Sequence, residues 1–153
     1  STAREVNNYK SFWCAEKTIN AILEFEISHK RKPVVAMMGL AFKPETDDMR
    51  EAPALVLIKR LKEAGCNIRA YDPAAMEESK RRVGDAVYYA KDMYDALLDA
   101  DALLLVTEWK EFRLPAWGVL KKTMNRPVIF DGRNIYDSNE LNDLGITYHC
   151  IGK

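Results

Sequence analysis

Val34-Val35-Ala36-Met37-Met38-Gly39-Leu40-Ala41-Phe42-Lys43 is the stretch that decides the fold. Its first five residues form an unbroken apolar run, which reads as a strand buried on both faces of a parallel sheet. Gly39 closes the run and opens a polar loop. The same order returns twice. Ala102 to Val106 runs into Thr107-Glu108-Trp109, and Pro127 to Phe130 runs into Asp131-Gly132-Arg133. In an open parallel sheet, ligands bind beyond the carboxyl ends of the strands, near the point where strand order reverses. Three motifs at three such ends, two bringing a cation and one a tryptophan, point to a site for an anionic, ring-bearing ligand such as a nucleotide.

Between these strands the pattern predicts helices. Pro53 to Ala64 starts with a proline suited to a first helical turn, buries Ala54, Leu57, Ile58 and Leu61, and stops at Gly65. Further helices are expected over 75–83, 92–99 and 115–124, with strands over 67–71, 86–88 and 147–151. Alternation at this spacing implies right-handed parallel crossovers. The expected class is α/β: a three-layer Rossmann-like fold with a mainly parallel sheet and helices on both faces, preceded by a long N-terminal helix. That first helix is expected from Asn7 to Ser28, with Phe12, Ala15, Ile19, Ile22 and Leu23 on its main stripe and Trp13 and Phe25 off it. Two apolar faces exceed what one small domain needs, so part of the helix is expected to pack on a partner subunit or on a further segment. His29-Lys30-Arg31-Lys32-Pro33 reads as a solvated basic linker. The expected organisation is therefore residues 1–32 as helix and linker, and 33–153 as the Rossmann-like domain.

Composition narrows the function. With 23 basic and 23 acidic residues the formal net charge is zero, so no global field draws nucleic acid or a membrane surface, and anion recognition must be local. No apolar run is long enough to span a bilayer, and the start lacks a secretory apolar core. Cys14, Cys66 and Cys150 have no metal or disulfide spacing and read as buried thiols of a cytoplasmic protein.

The loop after the first strand is not a dinucleotide fingerprint. That fingerprint needs G-x-G-x-x-G for close approach to a pyrophosphate; here only Gly39 is present, and Ala41 and Lys43 put side chains where the later glycines would leave room. A phosphate gripped by the Lys43 ammonium and by backbone N–H groups fits better. Glu45, Asp47, Asp48, Arg50 and Glu51 crowd the approach to the next helix, where acids favour a helix N-terminus; no second ligand group accompanies them to make a metal site. Arg50 has a guanidinium able to grip phosphate. Asp72 stands where dinucleotide-binding folds place a ribose acid, but Pro73 follows, and a turn is the preferred reading. Trp109 is read either as core, beside Phe112, or as the lining of a pocket. Gly132 permits the sharp turn that aims Arg133, with Asp131 orienting it. No catalytic triad, Walker loop or paired-acid arrangement occurs, so the sequence marks binding more clearly than catalysis.

Taken in order, Gly39-Leu40-Ala41-Phe42-Lys43-Pro44, Thr46 to Pro53, Ala70-Tyr71-Asp72-Pro73, Thr107 to Phe112 and Phe130 to Asn134 resemble the C-terminal, UDP-binding domain of the UDP-glucose dehydrogenase family. The resemblance runs from about Val34 to Lys153, and residues 7–28 resemble the end of that family's central, dimer-forming helical region. Thr-Glu-Trp points to the UDP-glucose branch over GDP-mannose and UDP-N-acetylmannosamine relatives. The resemblance implies oxidation of a UDP-sugar C6 alcohol to a carboxylate with NAD as cofactor, through a cysteine thiohemiacetal and thioester. It also implies a homodimer, UDP-glucose or a related UDP-sugar contacted by Phe42, Lys43 and Arg133, and NAD contacted by Arg50; Trp109 joins the expected substrate-binding residues by its place just past a strand end. The family's NAD fingerprint and catalytic-cysteine context do not occur in this sequence, so no residue here is assigned as catalytic and the chain is expected not to turn over substrate alone. The alternatives are a stand-alone nucleotide-binding or regulatory module, or another nucleotide-sugar dehydrogenase of the same family.

Overall fold

The computed structural model describes residues 31–150, together with Glu16, Lys17 and Asn20. The expected helix from Asn7 to Ser28 otherwise lies outside the described residues. Six strands form one sheet: β1 (Val34–Met38), β2 (Asn67–Tyr71), β3 (Tyr88–Tyr89), β4 (Ala102–Leu105), β5 (Val128–Asp131) and β6 (Thr147–Cys150). Their order is β3-β2-β1-β4-β5-β6, and each neighbouring pair is parallel. Strand order reverses between β1 and β4, where Met38 pairs with Leu105.

Helices cover both faces. On one side α1 (Pro53–Glu63) and α2 (Met76–Val83) pack over Val35, Met37, Ile68, Ala70 and Leu104. On the other, α3 (Met93–Leu97), α4 (Trp117–Thr123) and α5 (Ser138–Asp143) pack over Ala36, Met38, Leu103, Leu105 and Ile129. Alternate residues of β1 and β4 thus serve opposite cores, which is why both runs are apolar without interruption. The α/β, Rossmann-like class follows from the sequence pattern as expected.

The differences are local. The strand expected over 86–88 is Tyr88–Tyr89, because Gly84–Ala86 first forms a tight 3-10 turn. The helix α5 has no counterpart in the sequence reading: it is six residues long and buries only Leu141, so it carries no apolar stripe. Its start is set by Asp137, whose carboxylate accepts N–H bonds from Asn139 and Glu140. The acids before α1 do not cap it. Ala52 is the N-cap residue, with no side-chain cap bond and no acid in the first turn.

Gly39 is where sheet and ligand loop meet. Its φ is +98°, and a Cβ added there would stand 2.4 Å from the Cβ of Thr107 and 2.6 Å from its backbone nitrogen. The absence of a side chain lets the β1 loop cross the end of β4, where the Thr107 hydroxyl donates to the Ala41 carbonyl at 2.7 Å. Gly39→Ala is expected to destabilise the fold by about 2–4 kcal/mol through combined overpacking and backbone strain. Gly118→Ala, at an exposed position of helix α4 with open space around it, should instead stabilise by about 0.5–1 kcal/mol. Urea unfolding of both variants measures the contrast.

Candidate functional site

The loop from Gly39 to Ala52 rises from β1 at the switch point and is held from below. Asp72, fully buried at the end of β2, accepts five N–H bonds. One carboxylate oxygen takes the amides of Leu40 (2.7 Å) and Ala41 (3.0 Å) and the indole N–H of Trp109 (3.1 Å). The other takes the amides of Ala74 and Ala75, each at 2.8 Å, ahead of α2. The turn expected at Asp72-Pro73 is present, but the carboxylate does more than make a turn. It joins the β1 loop, the β4 loop and the start of α2. Farther along, the Phe42 amide donates to the Asp48 carbonyl (2.8 Å), and fully buried Met49 pins the loop to the core.

Asp131 plays the matching part at the end of β5. Also fully buried, it accepts the amides of Arg133 (2.8 Å), Ile135 (2.8 Å) and Tyr136 (3.1 Å) and the hydroxyl of Tyr148 (2.6 Å). It orients Arg133 through the backbone rather than through the guanidinium. Asn134, next in the turn, takes a φ of +58°. The Arg133 side chain then crosses toward β1. Its Nε donates to the Val106 carbonyl (2.7 Å) and lies 3.0 Å from the Glu108 carboxylate, and an Nη donates to the Phe42 carbonyl at 3.3 Å. Three loops from three strand ends are therefore tied together by one guanidinium.

Of the residues singled out from sequence, Phe42 and Arg133 are brought into contact, with Lys43 next along the chain. Lys43 is exposed, and no described carboxylate forms an ion pair with it. Trp109 is 7% exposed and packs beneath the loop, its N–H committed to Asp72. Arg50 sits apart on the outer flank of the loop. Its side chain is 80% exposed and paired with Asp48 at 2.9 Å, which holds the Asp48 carboxyl down to about 2. An open depression of about 410 Å³ beside it is lined by Thr46 to Arg50, Glu78 and Arg82. Glu108 and the hub role of Asp72 were missed. The ordered pair Thr107-Glu108, next to a strand end facing Arg133's strand, was the available signal for the first.

The geometry also tests whether a dinucleotide fits. In a fingerprint loop the amides after β1 meet pyrophosphate. Here the Leu40 and Ala41 amides are already filled by the Asp72 carboxylate, and Gly39 is crowded by Thr107. NAD does not fit that crevice of this sheet. Among the described residues no three His, Cys, Asp or Glu side chains group to hold a metal ion.

Residues 36–138 match the family model described as the UDP-glucose/GDP-mannose dehydrogenase family, UDP binding domain. The chain belongs to this family. Among curated relatives, the UDP-glucose 6-dehydrogenase of Rhizobium meliloti (strain 1021) is 42% identical over 119 residues, 78% of this chain and 27% of the relative. The UDP-glucose 6-dehydrogenase YwqF of Bacillus subtilis (strain 168) is 37% identical over 152 residues, 97% of this chain and 33% of the relative. Among solved structures, a UDP-glucose dehydrogenase from Pyrobaculum islandicum superposes with a TM-score of 0.71 at 26% identity, covering 93% of this chain and 29% of its own. The chain thus spans about a third of the length of such relatives or less. No described helix is long and apolar enough to cross a membrane.

The Asp131 cluster has a consequence for pH. Burial raises the hydroxyls of Tyr136 and Tyr148 above the ordinary phenol value of 10.0, and the Asp131 carboxylate adds to both. A raised folded value means that stability is fully present below pH of about 10 and is lost as pH climbs from there toward the folded values. The urea midpoint should therefore hold up to pH of about 10 and fall above it, and Tyr148→Phe should make that fall shallower. A midpoint equally steep in both proteins would contradict the assignment.

Proposed function

We propose that this chain is the UDP-sugar-binding domain of an NAD-dependent UDP-glucose 6-dehydrogenase. The observation that carries the proposal is the convergence of the Phe42-Lys43 loop with Arg133 at the switch point, in a chain whose family model is a UDP-binding one. Phe42, Lys43 and Arg133 contact the UDP-sugar. Lys43 supplies a bare cation for the diphosphate, and Arg133 supplies directed N–H groups from a position fixed by two carbonyls. Trp109 acts from behind, keeping the loop amides on Asp72.

NAD supplies the oxidising power in two hydride transfers when bound, and it is held mainly by groups other than those of this sheet. Arg50, exposed on the loop's outer flank, is the residue proposed to reach it. Cys66 and Cys150 are both buried, and neither is assigned as a nucleophile. Residues 1–32 are proposed as the end of a helical dimerisation region and linker in a cytoplasmic homodimer, with 33–153 as the ligand domain. The similarity to UDP-glucose 6-dehydrogenases supports the choice of sugar nucleotide.

Titration calorimetry with UDP tests the site. Lys43→Ala and Arg133→Ala should each weaken binding by about 1.5–3 kcal/mol, the scale of a charge-assisted hydrogen bond, whereas Arg50→Ala should leave UDP affinity unchanged. Unaltered affinity in both of the first two variants would refute the site. With UDP-glucose and NAD, the chain alone should produce no NADH absorbance.

A further inference from the structure

The two cations of the proposed site are electrostatically unlike, and Glu108 is the cause. Lys43 stands exposed, and no described carboxylate forms an ion pair with it. Arg133 carries Glu108 at 3.0 Å, and the two side chains are only 16% and 25% exposed. A guanidinium paired in this way is nearly neutral to an approaching ligand. A carboxylate within a hydrogen bond of the same point repels phosphate. What the pair offers is a donor and an acceptor side by side, the arrangement that suits a hydroxyl, which gives one hydrogen and accepts another.

Arg133 does not need Glu108 to be held in place. Its backbone amide is bound by Asp131, and its side chain is bound by the Val106 and Phe42 carbonyls. Glu108 itself lies between buried Thr107 and buried Trp109, so the backbone fixes where its carboxylate emerges. A charge that weakens a phosphate site and is not required for its scaffold calls for a ligand group that uses it.

Resting on the UDP-sugar reading above, we propose that Glu108 is a ligand-contacting residue of this site. The Arg133–Glu108 pair reads a hydroxyl of a sugar ring, and Lys43 meets the diphosphate. Ribose and the pendant hexose share the required chemistry.

Calorimetry of the wild-type chain and of Glu108→Gln, with UDP, 2′-deoxy-UDP and UDP-glucose, separates the sources. If ribose is read, E108Q weakens UDP by about tenfold or more and leaves 2′-deoxy-UDP unchanged. If the hexose is read, E108Q leaves UDP unchanged and removes the margin of UDP-glucose over UDP. Either pattern supports the proposal. Tighter binding of all three ligands would mean that Glu108 only repels phosphate. An equal loss for all three would mean a structural role, and no change for any would mean no role; each of these overturns it. Glu108→Asp keeps the charge but withdraws it by one methylene, and it should lose the same discrimination, so it carries the comparison if E108Q does not fold. Failure of the wild-type chain to bind any of the three would overturn the nucleotide reading itself, and this inference with it.

Discussion

The buried carboxylate of Asp72 is the interaction on which the rest of the site depends. Five N–H groups from the β1 loop, the start of α2 and the β4 loop point at its two oxygens. A carboxylate removed from water is tolerated only when donors replace its hydration, and donors left without it would be stranded in turn. The cluster therefore forms whole or not at all. In a fingerprint loop the anion at this place is a ligand's pyrophosphate. Here it is a side chain. The sheet keeps the amide cradle of a dinucleotide fold but fills it permanently, which turns a binding loop into a rigid platform.

That substitution accounts for where the proposed ligand residues stand. With the amides of Leu40 and Ala41 tied down, the loop does not wrap a phosphate tightly but extends outward to Phe42 and Lys43, and is pinned again at Met49. Asp131 repeats the device at the end of β5, fixing three turn amides and a tyrosine hydroxyl so that Arg133 leaves the turn toward β1. Both carboxylates sit at strand ends and face inward. Of the two cations they position, Lys43 is exposed, whereas Arg133 is mostly buried against two carbonyls and Glu108.

Much of this was legible in the sequence, and for definite reasons. The runs at 34–38 and 102–106 are apolar at every position because consecutive residues serve opposite cores, and a parallel sheet follows from that alone. Once β1, β4 and β5 lie side by side and parallel, the motifs at their ends share one edge of the sheet, so Phe42 and Arg133 were placed on that edge by topology, and the arginine's length carries it across β4. Two short elements were not legible. α5 is too brief for a periodic stripe, and the 3-10 turn at Gly84–Ala86 displaces β3 by a local backbone choice that no apolar pattern records. Acids were the hardest to read. Asp72 in an Asp-Pro turn, Asp131 in an Asp-Gly turn and Asp48 in the loop look alike as letters. The first two are fully buried hubs, while Asp48 serves an exposed arginine. What a carboxylate does depends on which N–H groups reach it from distant segments, and single-sequence spacing does not contain that information.

The tryptophan shows the same limit from the other side. Trp109 follows a strand end, where an aromatic ring invites assignment as a stacking surface. Yet its ring lies in the core with Phe112, and its one polar atom is spent on Asp72. Indole suits this position because it fills volume with apolar carbon and delivers a single donor with no acceptor to satisfy. A phenylalanine would leave Asp72 one donor short, and a tyrosine would bring an acceptor into a cluster made only of donors around one anion. The residue type is therefore dictated by the carboxylate beneath the loop. The Thr107-Glu108-Trp109 motif is then one device with three directions: Thr107 ties the loop carbonyl at Ala41, Trp109 ties the buried anion, and Glu108, between them in sequence, is turned toward Arg133.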